Sequence, residues 1–476
     1  MGIASKQRAS IAGTLARASL VPLAVAAYAF TLHWIYLNLI TSNFRYLGYG
    51  YTTPDVYTLI FTYMAAAALA FILPNRLRNP SDILLWILYI VAVAPAILIP
   101  PYAGYQDASE AALAGIGIAL AYAVSIVGAR RQPEIPIQPL AKPLSGTSFW
   151  ILLGVYSAFV YLMIYFTLGL SLDFISLLDV YDQRDEYREG LAGGGAIVGY
   201  LVSTQANVVN PLIIAYGLLK RRWYLLALGV LGQAILYSGT GFKTVLFSVP
   251  AVFIFAFILR HGRQIRTTWL IWGGVGVAAM AAIVDEIQGG ILWTSLFSRR
   301  FLITPGVLTA VYMKYFADNP KALLSNSVLE GITTDHYGLP PARVIGYHMT
   351  ANYEAAANAN IFADGFANFG AAGVLGAAVI LAIYLRFLDR ASAGLPLRVS
   401  GLVVIMPAVA LSNTSMLTGL LSHGLIAAVL LLALFPREPV APVKEILPTA
   451  PIRDRRQSSK LHRLQGVASP ARARSQ

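Results

Sequence analysis

EIQGGILWTSLFSRRFLITPGVLTAVYMKYFADNPKALLSNSVLEGITTDHYGLPPARVIGYHMTANYEAAANANIFAD, residues 286–364, is a polar island between two long apolar runs. It carries Arg299, Arg300, Lys314, Lys321 and Arg343, with acids at Asp318, Glu330, Asp335, Glu354 and Asp364. Two of the chain's six histidines, His336 and His348, also fall in it. On both sides the chain reads as membrane spans, so the island reads as a large extracytoplasmic loop that carries the working site.

Outward from the island, apolar residues dominate. Of 476 residues, 57% are hydrophobic and 12% charged, whereas soluble domains carry about 25% charged residues. A span needs about 20 mostly apolar residues. Twelve such runs are expected, at 18–40, 56–74, 83–99, 109–128, 148–170, 196–219, 223–239, 243–259, 268–285, 366–385, 399–414 and 420–436. The fold class is therefore an all-α polytopic membrane protein. Ser238-Gly239-Thr240-Gly241 reads as a tight turn between the seventh and eighth spans, and Ser412-Asn413-Thr414-Ser415 as one between the last two. No cleavable signal peptide is expected, because the first apolar run outlasts an h-region. The absence of cysteine excludes a disulfide framework, a thiolate nucleophile and a Cys-based metal site.

The net charge of +13 does not indicate nucleic-acid binding, since the basic residues sit in short loops and the tail rather than on one face. With the N-terminus inside, segments 1–17, 75–82, 129–147, 220–222, 260–267, 386–398 and 437–476 hold 26 of the 35 Lys and Arg. That bias follows the positive-inside rule and puts both termini in the cytoplasm. The chain then divides into 1–285, nine spans with an acidic outer loop at 171–195; 286–364, the large outer loop; 365–436, three spans; and 437–476, a basic cytoplasmic tail. The tail, rich in Pro, Arg and Ser, is expected to be disordered, either anchoring the topology or resting on anionic headgroups. The stretch 130–147, with four prolines, reads as an extended inner linker. The loop at 171–195 reads as a solvated amphipathic segment, or as a lid over a sugar-binding rim hinged at Gly193-Gly194-Gly195.

Several polar groups could carry chemistry. Lys243 follows the Ser238–Gly241 turn, where glycines permit close approach and helix-terminal N–H groups favour an anion. The other reading is a Lys that snorkels to the interface. Arg299 and Arg300, adjacent and outside against the charge bias, could neutralise a pyrophosphate bidentately. They could equally meet lipid headgroups or pair with Asp285 or Glu286. Residues 307–316 have the pattern of an amphipathic helix on the membrane surface. His336, His348, Asp335 and Asp364 are candidates for removing a proton from an attacking hydroxyl, against the plainer role of loop hydrogen-bonding. Asn360 and Asn368, at the start of the tenth span, could bind substrate or cap the helix. Tyr337 offers a stacking face and a hydroxyl for a sugar. The two histidines lack the spacing of zinc ligands, so no metal site is expected.

Phe301-Leu302-Ile303-Thr304-Pro305-Gly306, Tyr312, Tyr315-Phe316, Asn319-Pro320, Ile345-Gly346 and Ala359-Asn360-Ile361-Phe362-Ala363-Asp364-Gly365, with Asn368-Phe369-Gly370-Ala371-Ala372-Gly373, occur in an order that resembles the O-antigen or oligosaccharide repeat-unit polymerases of the Wzy type. Ser238-Gly239-Thr240-Gly241-Phe242-Lys243 is similar to their upstream turn and basic residue. The resemblance covers about residues 235–390 at motif level and the whole chain at the level of topology. It implies a GT-C-like membrane glycosyltransferase in a bacterial inner membrane. This would extend a glycan on undecaprenyl pyrophosphate at the outer face, without a cofactor, alongside a chain-length regulator protein as a further partner. Lys243, Arg299, Arg300 and Arg343 would hold the pyrophosphate, and Tyr337, Asn360 and Asn368 the sugar. Alternatives are an O-antigen ligase-like transferase and a polysaccharide flippase. The flippase would need charges deep in its spans, which are almost free of them. A membrane acyltransferase would need a set of intramembrane histidines, for which His33 alone is weak support.

Overall fold

The computed structural model describes residues 20–130, 140–168, 196–260, 266–327 and 329–437. The acidic loop at 171–195, residues 131–139 of the proline-bearing linker and all but the first residue of the basic tail lie outside the described residues. Residues up to Pro436 form one unit. Among the described residues nine helices are long and apolar enough to cross a membrane, and no strand occurs beyond an isolated bridge between Arg76 and Arg266. The chain is thus an all-α, multi-pass membrane protein.

In chain order the long helices are α1 (Leu20–Leu47), α3 (Pro80–Tyr102), α4 (Ala108–Arg130), α5 (Gly146–Thr167), α6 (Ile197–Lys220), α7 (Trp223–Thr240), α8 (Lys243–Arg260), α9 (Thr268–Gln288) and α13 (Ile361–Ala391). Shorter helices are α2 (Val56–Ile72), α10 (Thr294–Ile303), α11 (Thr304–Asp318), α12 (Pro341–Thr350), α14 (Leu397–Ala410), α15 (Met416–Ser422) and α16 (Leu425–Leu434). α15 and α16 meet at an angle of 47°. Burial ranks the helices: 94% of the apolar window of α3 is inside the protein but only 22% of that of α5. α3 is the hub and α5 a peripheral helix. α3 starts at Pro80 because Asp82 accepts the Arg78 and Asn79 amides at 2.8 and 2.9 Å, closing a capping box with a proline at the first position.

Three helices widen to π geometry just ahead of a proline. Tyr89–Val93 precedes Pro95, Gln205–Val209 precedes Pro211, and Thr294–Ile303 precedes Pro305. A proline has no N–H to return to the preceding turn and crowds the carbonyl four residues back. The ladder relieves both problems by pairing one residue further along. The widened turn of α6 also carries polar cargo. Gln205 Nε2 donates to Asn210 Oδ1 at 2.8 Å, Asn210 Nδ2 to Gln233 Oε1 at 3.2 Å, and Gln233 Nε2 to Ser248 Oγ at 2.6 Å. This network fastens α6, α7 and α8 inside apolar surroundings, where side-chain amides act as interhelical glue.

Segments that the charge bias assigns to one side meet at one end of the bundle. Thr267 N donates to Asn75 O, Arg386 Nε to Gly128 O, Arg398 Nε to Leu259 O, and Ser81 Oγ to Asp389. α7 and α8 form a hairpin at Gly241, which sits in the left-handed region at φ 61°, as the small-residue turn suggested.

Two features of 286–391 differ from the sequence expectation. Residues 307–316 do not form a helix with one exposed polar face, as an amphipathic surface segment would. Every residue from Pro305 to Met313 is buried, and α11 packs among α3, α4 and α13. Gly306 permits this approach, since a Cβ there would stand 2.8 Å from Ile99 and closer still to the Pro95 carbonyl oxygen. An island of mixed charge hid a segment that is apolar on nearly all sides. Second, α13, the counterpart of the tenth expected span, begins at Ile361, earlier than the expected 366, and it is broken. Phe369 (φ −140°, ψ 20°) and Gly370 (φ 60°, ψ −142°) are non-helical, the latter in a region open essentially to glycine alone. The short N-terminal piece folds back until a Cβ on Gly365 would lie 2.5 Å from the Gly373 carbonyl oxygen.

Candidate functional site

Lys243, Arg299 and Arg300 line one cavity of about 780 Å³. Lys243 opens α8, while both arginines come from the π-helical turns of α10. The walls are largely apolar, with Val202, Phe247, Leu296, Phe301, Leu308 and Met406 among them. α10 is positioned by Asp285, whose carboxylate accepts the Trp293 and Thr294 amides at 2.9 and 2.6 Å. Asp285 is therefore used as a helix cap, a negative group at the positive end of the helix. Arg299 has no carboxylate partner among the described residues. Its Nε and Nη2 donate to Ser295 Oγ at 3.1 and 2.8 Å, and its guanidinium lies 4.3 Å from the Phe44 ring centroid. Thr304 Oγ1 donates to Arg299 O and meets Tyr49 Oη, both at 2.7 Å. The guanidinium is thereby held on an aromatic seat before any ligand arrives.

The remaining site candidates fall in four other places. Asp364 and Asn368 sit on the folded-back piece of α13 and line a second pocket of about 180 Å³. Asn360 is buried and locally consumed: Oδ1 accepts from Phe362 N and Ala363 N, and Nδ2 donates to Thr309 Oγ1 at 2.8 Å. Capping accounts for the Oδ1 bonds, and the Nδ2 bond ties the start of α13 to α11. Asp335, His336, Tyr337 and His348 gather on a solvent-accessible aromatic patch around Tyr315. The His348 ring is 5.0 Å and the Tyr337 ring 6.3 Å from Tyr315, and Tyr337 Oη donates to Pro320 O. The Asp335 carboxylate accepts the Tyr337 and Gly338 amides, both at 3.0 Å. Those bonds hold its pKa below the ordinary aspartate value and make it a weaker base. Arg343, on α12, pairs with Glu354 at 3.7 Å and does not line the cationic cavity.

Three lining residues were missed as site candidates in the sequence. Asn413 and Asn207 line the cationic cavity, as does His423, whose buried Nδ1 has no hydrogen-bond partner among the described residues. The signals were present but ambiguous. Asn413 lies in a polar interruption that reads as a turn, and Asn207 and His423 are isolated within apolar runs. Among the described residues no group of three or more His, Cys, Asp or Glu could hold a metal ion. Compared with known proteins, the chain matches no family model, no curated protein and no solved structure.

Proposed function

We propose that this protein is a glycosyltransferase of the polysaccharide-polymerase kind. It moves a growing glycan from one undecaprenyl pyrophosphate onto the sugar of a second lipid-linked repeat unit, at the outer face of a bacterial inner membrane. In this reading the chain is GT-C-like with cytoplasmic termini. The bent α15–α16 pair and the shorter α2 and α14 count as spans beside the nine long helices, which restores the twelve expected from the sequence.

The observation that carries the reading is the convergence of Lys243, Arg299 and Arg300 on one cavity with apolar walls. Such a chamber suits a doubly charged group on an isoprenoid tail. The acceptor hydroxyl oxygen forms a bond to the anomeric carbon as the bond from that carbon to the phosphate oxygen breaks. The electron pair leaves on undecaprenyl pyrophosphate, where the three cations stabilise it through preorganised electrostatics. The hydroxyl proton passes to a nearby base. Asp364 is the favoured candidate, because its pocket adjoins the cavity through Asn358, which lines both.

Deletion of the gene followed by gel analysis of surface glycan tests the assignment. The expected result is loss of the ladder with a single repeat unit retained, restored by the wild-type gene. An unchanged ladder, or complete loss of repeat units, overturns it.

A further inference from the structure

The pocket beside the cationic cavity differs from it in charge. Its lining includes Ser325, Asn326, Asn358, Asp364, Thr414 and Thr418. Among the described residues that line it there is no Lys, Arg or His, and Asp364 supplies its one carboxyl. That carboxyl is poorly satisfied from within the protein, receiving only the Asn368 amide at 3.4 Å among the described residues. The Ser412–Ser415 turn runs past both chambers. Ser412 and Asn413 line the larger and Thr414 and Ser415 the smaller.

We infer that this pocket is a subsite for one neutral sugar ring and that it discriminates against acidic sugars. In the transfer reaction the ring is the acceptor's terminal residue; that word rests on the proposed function, whereas the binding chemistry rests on the lining. At about 180 Å³ the space falls below the roughly 300–1,000 Å³ of sites for drug-sized ligands and is on the scale of a single pyranose. Hydroxyl and amide side chains donate and accept, which matches a ring of hydroxyls. The under-bonded Asp364 carboxyl is a ready acceptor for one of them. A uronate would bring a second carboxylate beside Asp364 in a pocket with no cation to pair either, and two carboxylates sharing one site repel each other. Charge is thus divided between the chambers, with cations where phosphate leaves and a lone carboxyl where hydroxyls bind.

Saturation-transfer NMR on the full-length protein in lipid nanodiscs tests this directly. The probes are the methyl pyranosides of glucose, galactose, mannose and N-acetylglucosamine, with methyl glucuronate as the acidic counterpart. Farnesyl pyrophosphate binding, read in parallel, reports on the cationic cavity. At least one neutral glycoside is expected to bind the wild type about tenfold more tightly than the uronate, a factor set by repulsion between the uronate and the Asp364 carboxyl. Asp364→Asn should bring that ratio below about threefold. Asn326→Phe, which plugs the rim, should abolish the sugar signal while farnesyl pyrophosphate binding stays within about twofold. Thr418→Phe serves as the plug if the first variant does not fold. The inference is overturned if no neutral glycoside binds, if the ratio survives Asp364→Asn, or if the folded plug variant binds sugar as the wild type does. Failure of the wild type to bind farnesyl pyrophosphate, with the sugar pattern intact, would instead remove the transfer reaction and leave the subsite standing.

Discussion

Truncating Arg299 to alanine separates a substrate-charge role from a packing role, because the two lose different amounts. The guanidinium is held by two hydrogen bonds to Ser295 and by its seat 4.3 Å from the centre of the Phe44 ring. Losing that seat costs the fold about 0.5–2 kcal/mol, and Ser295, being half-buried, can turn to water. Loss of one preorganised donor facing a developing oxyanion costs about 2.7–4 kcal/mol, or roughly 10²–10³ in turnover. Arg299→Ala should therefore extend lipid-linked repeats about a hundredfold or more slowly while shifting the unfolding midpoint by only a few degrees. Arg299→Lys keeps the charge but loses the planar fork and should fall between the two. The assay is in vitro chain extension by protein in nanodiscs, with a thermal melt of each variant. Wild-type extension by Arg299→Ala would refute the reasoning, as would a loss of rate fully matched by loss of folded protein.

Other positions report on the scaffold. Gly306→Ala drives a methyl into Ile99 and the Pro95 carbonyl, overpacking that should destabilise by about 1–3 kcal/mol; an unchanged melting temperature would show that α3 and α11 do not close as described. Asn360→Ala removes a helix cap and the bond to Thr309 and should cost about 1–2 kcal/mol, with no change in sugar preference by the NMR assay above. Asp335 makes the segment around it acid-sensitive. Its folded pKa lies below the unfolded value because two amides bond the carboxylate, so its contribution is present above the unfolded value and lost as pH falls through the lowered one. Proteolysis of residues 330–340 should accelerate below about pH 4 in the wild type, and Asp335→Asn should be cut readily at every pH.

Composition and charge order were enough to establish an all-α membrane protein and to group the basic loops, because bilayer thickness and the cost of unpaired backbone act on each span separately. They also singled out Lys243 and the Arg299–Arg300 pair, whose types and positions violate the local background. Sequence alone did not reveal that α11 is a core helix, for its charges sit at Lys314 and Asp318, near the end of a segment otherwise buried. Nor could it divide the candidates among sites. Asp335 and Asp364 look alike in one dimension, yet backbone amides occupy the first and a broken helix turns the second into a pocket. Bringing Lys243 to Arg299, more than fifty residues away, depends on α8 and α10 meeting in space. Long-range packing makes that decision, because which helix faces meet is settled by glycine contacts, proline-widened turns and buried amides acting together.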